Sequence, residues 1–189
     1  MPKLSKSETG LVIFAGKERS VVVVPPFPLT SDLHVRRFEA DNLIDHLEQE
    51  LLIGVVLLRL GYFVVGILDN ENVMASKTGS RYVKNKHRAG GSSQRRFERS
   101  RERLIRELFD NACKVAQQVF GPYKSELDYL MLGGETYTLH RFINRCSYIQ
   151  GFDHKLTKRI LPVRRPGHEA MANISREVWR SQVVTVHRK

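Results

Sequence analysis

Gln94 ends an uncharged run, Gly90-Gly91-Ser92-Ser93, set inside the most basic stretch of the chain. A carboxamide donates and accepts hydrogen bonds at once, so it can orient a water molecule or stabilise a leaving oxygen without carrying charge. Paired glycines admit positive φ and remove the bulk that would keep a backbone out of a narrow space. From Arg81 to Arg106 the chain holds ten Arg and Lys against two Glu, a net +8 of the protein's +11. Cations framing a small loop suit a polyphosphate, so an RNA or DNA phosphate backbone is the expected partner.

The spacing of the cations sharpens this expectation. Arg95, Arg99 and Arg103 recur every four residues and share one face of a helix. They stand in its first three turns, where the macrodipole disfavours positive charge by about 0.3 to 1 kcal/mol each. An external anion accounts for them better than helix stability does. Glu98 with Arg101 and Glu102 with Arg106 can form spaced ion pairs, which leaves Arg95, Arg96 and Arg99 uncompensated. Lys84, Lys86, His87 and Arg88 lead into the loop beside Tyr82, a mixture suited to phosphate contact and one stacking interaction. A second basic cluster, Lys155, Lys158, Arg159, Arg164 and Arg165, either widens the footprint or is a solvated surface. The plain readings are a helix-entry loop for Gly-Gly-Ser-Ser and an idle surface residue for Gln94; the flanking charge favours the functional ones.

Other chemistries find no support. The seven histidines lack zinc-binding spacing, and Cys113 and Cys146 form no CxxC pair. No metal or other cofactor is expected. A phosphate-binding loop, a dinucleotide fingerprint and a nucleophile elbow are all missing. With only two distant cysteines and no secretory leader pattern, the expectation is reduced thiols and a cytoplasmic protein. Leu51 to Leu68 has the length of a membrane span, but Arg59 and Gly61 break it. Two buried strands explain it better, so no membrane partner is expected.

With 189 residues, 41% hydrophobic and 27% charged, and no biased linker, the chain reads as a single domain over 1–189, frayed over 1–10. Leu11 to Ala15 and Ser20 to Val24 predict a hairpin, and Glu39 to Glu50 a helix covering one face of a sheet. Ile53 to Leu58, Tyr62 to Leu68 and Asn72 to Ser76 read as successive strands, the continuous apolar runs implying burial on both faces. Phe97, Arg101, Leu104, Leu108, Ala112, Val115 and Val119 follow helical spacing until Gly121-Pro122. Ser92 or Ser93 can cap that helix. A strand over Leu127 to Leu132, helices over Thr136 to Ser147 and Pro166 to Trp179, and a strand over Val183 to Val186 complete the pattern. The fold class is α/β (α+β), a mixed central β-sheet with helices on both faces.

Lys86-His87-Arg88-Ala89-Gly90-Gly91-Ser92-Ser93-Gln94-Arg95-Arg96-Phe97-Glu98-Arg99 resembles the catalytic loop of the class I release factors of archaea and eukaryotes. It is more similar to the Vms/ANKZF-like branch of that superfamily. The classical loop reads Gly-Gly-Gln before an Arg-Arg-Phe-like helix start. Here Arg95-Arg96-Phe97 keeps that start, Ser92 takes the glutamine's place, and Gly91 with Gln94 meets the Gly-x-x-Gln pattern of the Vms/ANKZF branch. The ankyrin repeats and zinc finger of eukaryotic members have no counterpart in these residues. The resemblance implies a ribonuclease-H-like, release-factor-type catalytic domain. It further implies a peptidyl-tRNA hydrolase that frees stalled nascent chains on the large ribosomal subunit, with Gln94 catalytic, Gly90, Gly91, Ser92 and Ser93 positioning the loop, and Lys84, Lys86, His87, Arg88, Arg95, Arg96 and Arg99 on RNA. A tRNA acceptor-end endonuclease and a non-catalytic ribosome- or RNA-binding module remain the alternatives.

Overall fold

The computed structural model describes residues 7–83 and 92–187, with Ser92 and Ser93 described in their backbone alone. The elements in chain order are β1 (Val12–Ala15), β2 (Arg19–Val24), α1 (Asp41–Glu48), β3 (Leu52–Arg59), β4 (Tyr62–Asp69), β5 (Asn72–Ser80) and α2 (Ser92–Phe120). A one-turn 3-10 helix follows at Gly121–Tyr123, then β6 (Tyr129–Gly134), α3 (Thr136–Arg145), α4 (Ser147–Gln150), β7 (Leu156–Leu161), α5 (His168–Ala172), α6 (Ser175–Val178) and β8 (Gln182–His187).

Where the sequence alone suggests one domain over 1–189, the chain divides into two compact units: Met1–Glu50 with Val178–Lys189, and Leu51–Glu177. In the smaller unit β1, β2 and β8 form an antiparallel sheet in the order β1-β2-β8. The first and last strands therefore do not join the central sheet. Helix α1 belongs to this unit and has no buried residue, which corrects the expectation that it covers a sheet face. Its His46 Nε2 lies 3.1 Å from the Phe27 carbonyl oxygen, and Phe27 meets Trp179 edge-on at 5.1 Å.

The larger unit holds a five-stranded mixed sheet in the order β5-β4-β3-β6-β7. β3 pairs antiparallel with β4 and parallel with β6, and β6 pairs parallel with β7. β3 and β4 are apolar between their ends because both faces are covered there. On one face Val56, Leu58, Phe63, Val65 and Ile67 pack with Ile105, Leu108, Phe109 and Ala112 of α2, and with Leu139 and Phe142 of α3. On the other lies α5, whose Met171 sits so close that a Cβ on Gly66 would come within 2.8 Å of its Cε. Gly134 turns the chain out of β6 with φ +142°, where a Cβ would collide with the Leu58 carbonyl oxygen.

The length of α2 exceeds expectation at its start, where Ser92, Ser93 and Gln94 already belong to the first turn. β7 has no counterpart among the strands expected from sequence. The segment expected as a last helix over Pro166 to Trp179 is two short ones, α5 and α6.

A larger correction concerns the cysteines. Cys113 in α2 and Cys146 between α3 and α4 form a disulfide, with their Cα atoms 5.6 Å apart and a sequence separation of 33. Cysteine spacing could not show it, because the pairing is made by α3 packing against α2 after β6 returns the chain. The expectation of free thiols fails, and with it the cysteine-based reading of a reducing compartment. Closing a loop of this length stabilises by about 3 to 4 kcal/mol in the chain-entropy description. Cys113→Ser/Cys146→Ser is therefore expected to lower the free energy of unfolding by about that amount in a denaturant titration. A reductant should shift the wild-type midpoint toward that of the variant and leave the variant unmoved.

Candidate nucleic-acid interface and catalytic tip

The position of α2 follows from where its apolar face ends. Its first buried side chain is Ile105; every described side chain from Gln94 to Leu104 is exposed or only half-buried. At 1.5 Å per residue, Gln94 stands about 16 Å along the helix axis from that anchor. The first three turns of α2 thus run outside the buried core.

Several contacts clamp α2, from Glu102 onward, to its neighbours. Asp110 receives Arg145 in two hydrogen bonds, 2.6 Å from Nε and 2.7 Å from Nη2, which raises the guanidinium pKa above its ordinary value. Glu102 receives Arg141 Nη2 at 2.5 Å, and the Arg141 guanidinium also lies over the rings of Tyr137 and Phe109. Arg81, just beyond β5, pairs with Glu107, and Lys77 Nζ of β5 donates to Gln118 Oε1 at 2.9 Å. The Cys113–Cys146 bond and the edge-on Phe109–Phe142 contact at 5.9 Å complete the attachment.

Gln94 is half-buried, and its Nε2 donates to Glu98 Oε1 at 3.1 Å, one helical turn away. The bond turns the amide nitrogen toward Glu98 and, among the described residues, leaves its oxygen without a side-chain donor. Glu98 is the residue that sequence reasoning missed, because its spacing to Arg101 suggests an ion pair. The i, i+4 spacing from Gln94 was the signal available. Arg101 instead lies 4.0 Å from Glu102, whose backbone carbonyl also accepts from Arg106 Nε at 3.4 Å. Arg103 pairs with Glu107 at 3.6 Å. Arg95, Arg96 and Arg99 are exposed and make no ion pair among the described residues, as anticipated.

Structure and sequence thus bring Gln94, Arg95, Arg96 and Arg99 together on the outlying turns of α2. Ser92 and Ser93 precede them in the same helix. Lys84, Lys86, His87, Arg88, Gly90 and Gly91 lie outside the described residues. The second basic cluster is divided by its contacts. Lys155 Nζ is held by the carbonyl oxygens of Leu127 and Ser125, and Arg159 Nη2 donates to the Glu177 carbonyl at 2.5 Å. Arg164 and Arg165 remain exposed. A cavity of about 490 Å³ lined by Lys124, Gly151, His154 and Lys155 lies near the carboxyl end of α2 and includes none of the candidate residues of that helix. Among the described residues no group of His, Cys, Asp and Glu is placed to hold a metal ion, and no helix is long and apolar enough to cross a membrane.

Residues 52–184 match the family described as the Actinobacteria/chloroflexi VLRF1 release factor, an interval covering most of the larger unit, α2 included. The chain belongs to this release-factor family. Among curated relatives of this family member, peptide chain release factor subunit 1 of Archaeoglobus fulgidus is 31% identical over 157 residues, covering 81% of the chain and 38% of that protein. Its counterpart in Thermococcus sibiricus is 32% identical over 173 residues, covering 82% and 40%. The chain therefore spans about two fifths of the length of these relatives. Two solved structures share its fold. The archaeal translation termination factor aRF1 has a TM-score of 0.50 at 19% identity, covering 80% of this chain and 45% of that one. The Vms1 mitochondrial localization core has a TM-score of 0.52 at 14% identity, covering 92% and 76%. The mixed sheet flanked by helices is thus the release-factor type of fold expected from the Gly-x-x-Gln loop.

If Arg141 steadies the outlying turns of α2 through Glu102, Arg141→Ala should speed amide hydrogen exchange over residues 94–104 more than over 108–120. The pair is partly exposed, so the expected loss of global stability is about 0.2 to 1 kcal/mol. Hydrogen exchange read by mass spectrometry measures both regions in one experiment.

Proposed function

We propose that this protein hydrolyses peptidyl-tRNA, freeing stalled nascent chains on the large ribosomal subunit. The observation that carries the reading is the outlying end of α2, where an oriented glutamine amide stands among three arginines that have no carboxylate partner among the described residues. Family membership supports the release-factor role, and the phosphate-rich surroundings of a tRNA acceptor end supply the anions that suit Arg95, Arg96 and Arg99. Such work places the protein in the cytoplasm, with ribosomal RNA and tRNA as partners and no cofactor required.

In this mechanism Lys84, Lys86, His87, Arg88, Arg95, Arg96 and Arg99 bind RNA phosphates. Gly90 and Gly91 let the backbone approach the peptidyl ester closely, and Ser92 and Ser93 link them to the helix. The Gln94 amide oxygen accepts a hydrogen bond from the attacking water, while Glu98 keeps the amide turned toward it. Water adds to the ester carbonyl carbon. The tetrahedral intermediate then expels the terminal ribose oxygen, which takes up a proton to leave intact tRNA and a free peptide carboxylate.

Large subunits carrying labelled peptidyl-tRNA provide the test. Gln94→Ala should slow peptide release about 10²- to 10³-fold, the usual cost of losing one preorganised polar group at a reacting centre. Glu98→Ala should slow it less, and Glu98→Gln, which can still accept from the amide, should recover most of the rate. Equal release by wild type and Gln94→Ala removes the glutamine from the reaction. Recovery of shortened tRNA in place of intact tRNA assigns the activity to the phosphodiester, and binding without turnover leaves an RNA-docking module.

A further inference from the structure

A second group of arginines sits where the strands of the mixed sheet end. The carboxyl ends of the parallel strands β3, β6 and β7 are Arg59, Gly134 and Leu161, which the pairing register places side by side. Tyr62 opens β4 directly opposite Arg59, and Ser80 closes β5 opposite Tyr62. Beyond β7, residues 162–166 cross the ends of β6 and β3 to reach β4, a span of about 14 Å at about 4.8 Å per strand. Arg59 Nη1 fixes this crossing by donating to the Val163 and Arg164 carbonyl oxygens, each at 3.2 Å. Arg165 then lies with its guanidinium 4.9 Å from the centroid of the Tyr62 ring.

We propose that Tyr62, Arg164 and Arg165 form a second RNA-binding site, a stacking platform at the strand ends that takes a single-stranded segment of the same RNA engaged by the α2 tip. The inference rests on the RNA-directed function proposed for that tip and adds a surface to it.

Four observations support the platform. Tyr62 is 42% exposed, so its ring is partly open to a ligand. Arg164 and Arg165 are exposed and make no ion pair among the described residues. The acids placed near this end have other partners among the described residues: Glu135 accepts from the Thr138 hydroxyl at 2.7 Å and Glu107 pairs with Arg81. The location, outside the carboxyl ends of parallel strands, is where open sheets with helices on both faces place their ligand sites. An aromatic ring carrying a guanidinium offers a base a flat surface and a neighbouring phosphate a charge, the two elements of single-strand recognition.

The orientation of this site separates it from the tip. Phe63 points into the α2 side of the sheet, so Tyr62, the preceding residue in the strand, points to the opposite side. An RNA strand touching both sites therefore passes around the strand ends rather than along α2. Lys155 and Arg159, committed to backbone carbonyls, take no part.

Fluorescence anisotropy with a short labelled single-stranded RNA, titrated at several salt concentrations, tests the proposal on the full chain. Arg164→Ala/Arg165→Ala is expected to weaken binding about tenfold and to reduce the salt slope by about 0.7 for each phosphate no longer neutralised. Tyr62→Ala should weaken binding by a similar factor with the slope kept, and Tyr62→Phe should bind as wild type does. Arg165→Lys should keep the slope and lose part of the affinity, because it retains charge without the planar stack. Wild-type affinity and slope in the double variant, with its thermal unfolding unchanged, overturn the platform. Should wild type fail to bind this RNA, the platform falls, while the proposed function still stands or falls on peptide release from large subunits. Loss of binding in the double variant beside a wild type inactive on peptidyl-tRNA keeps the platform and removes only the hydrolase.

Discussion

The attachment of α2 to the corner between α3 and α4 is the constraint on which the rest of the molecule's chemistry depends. A helix with three uncompensated arginines near its amino end works against its own dipole and, by itself, would fray there. It persists because its middle is held by apolar packing, a disulfide and two arginine–carboxylate pairs on one neighbouring segment. The stability needed for the charged turns is supplied elsewhere in the same helix. This division lets one element be both a core helix and an exposed cationic probe.

The sheet serves that arrangement from beneath. β3 and β4 are buried on both faces, so they form a stiff floor, and β5 is an edge strand whose polar side chains reach α2 through Lys77 and, just beyond it, Arg81. The strand that leads into the basic segment and the helix that leaves it are thereby tied together at their bases. The same strand ends carry the Tyr62–Arg165 stack, so cationic surface gathers at one end of the larger unit while Lys155 and Arg159 are spent on backbone carbonyls.

What the residues revealed in advance was whatever local periodicity or charge could encode. Continuous apolar runs marked β3 and β4, three-four spacing marked α2, and the local count of acids and bases marked Arg95, Arg96 and Arg99 as lacking an ion-pair partner among the described residues. The disulfide escaped because it joins residues made neighbours only by the packing of α3 on α2. β7 escaped because Leu156–Leu161 is an edge strand interrupted by Lys158 and Arg159, which read as basic surface rather than as a pleated segment. The separation of β1, β2 and β8 into their own sheet depends on a pairing between the two ends of the chain, for which no local pattern exists. The role of Glu98 was obscured by its charge, since an acid amid arginines suggests an ion pair before it suggests a brace for an amide.

The distance from Ile105 to Gln94 makes α2 a lever arm. A tilt of about 5° at the fulcrum displaces the far end by about 1.4 Å over an arm of about 16 Å. Reacting groups misplaced by about 1 Å can lose a hundredfold in rate. In the proposed hydrolysis, accuracy at the Gln94 amide would therefore be governed by rigidity at Asp110, Arg145 and Phe142, side chains that need never touch a substrate.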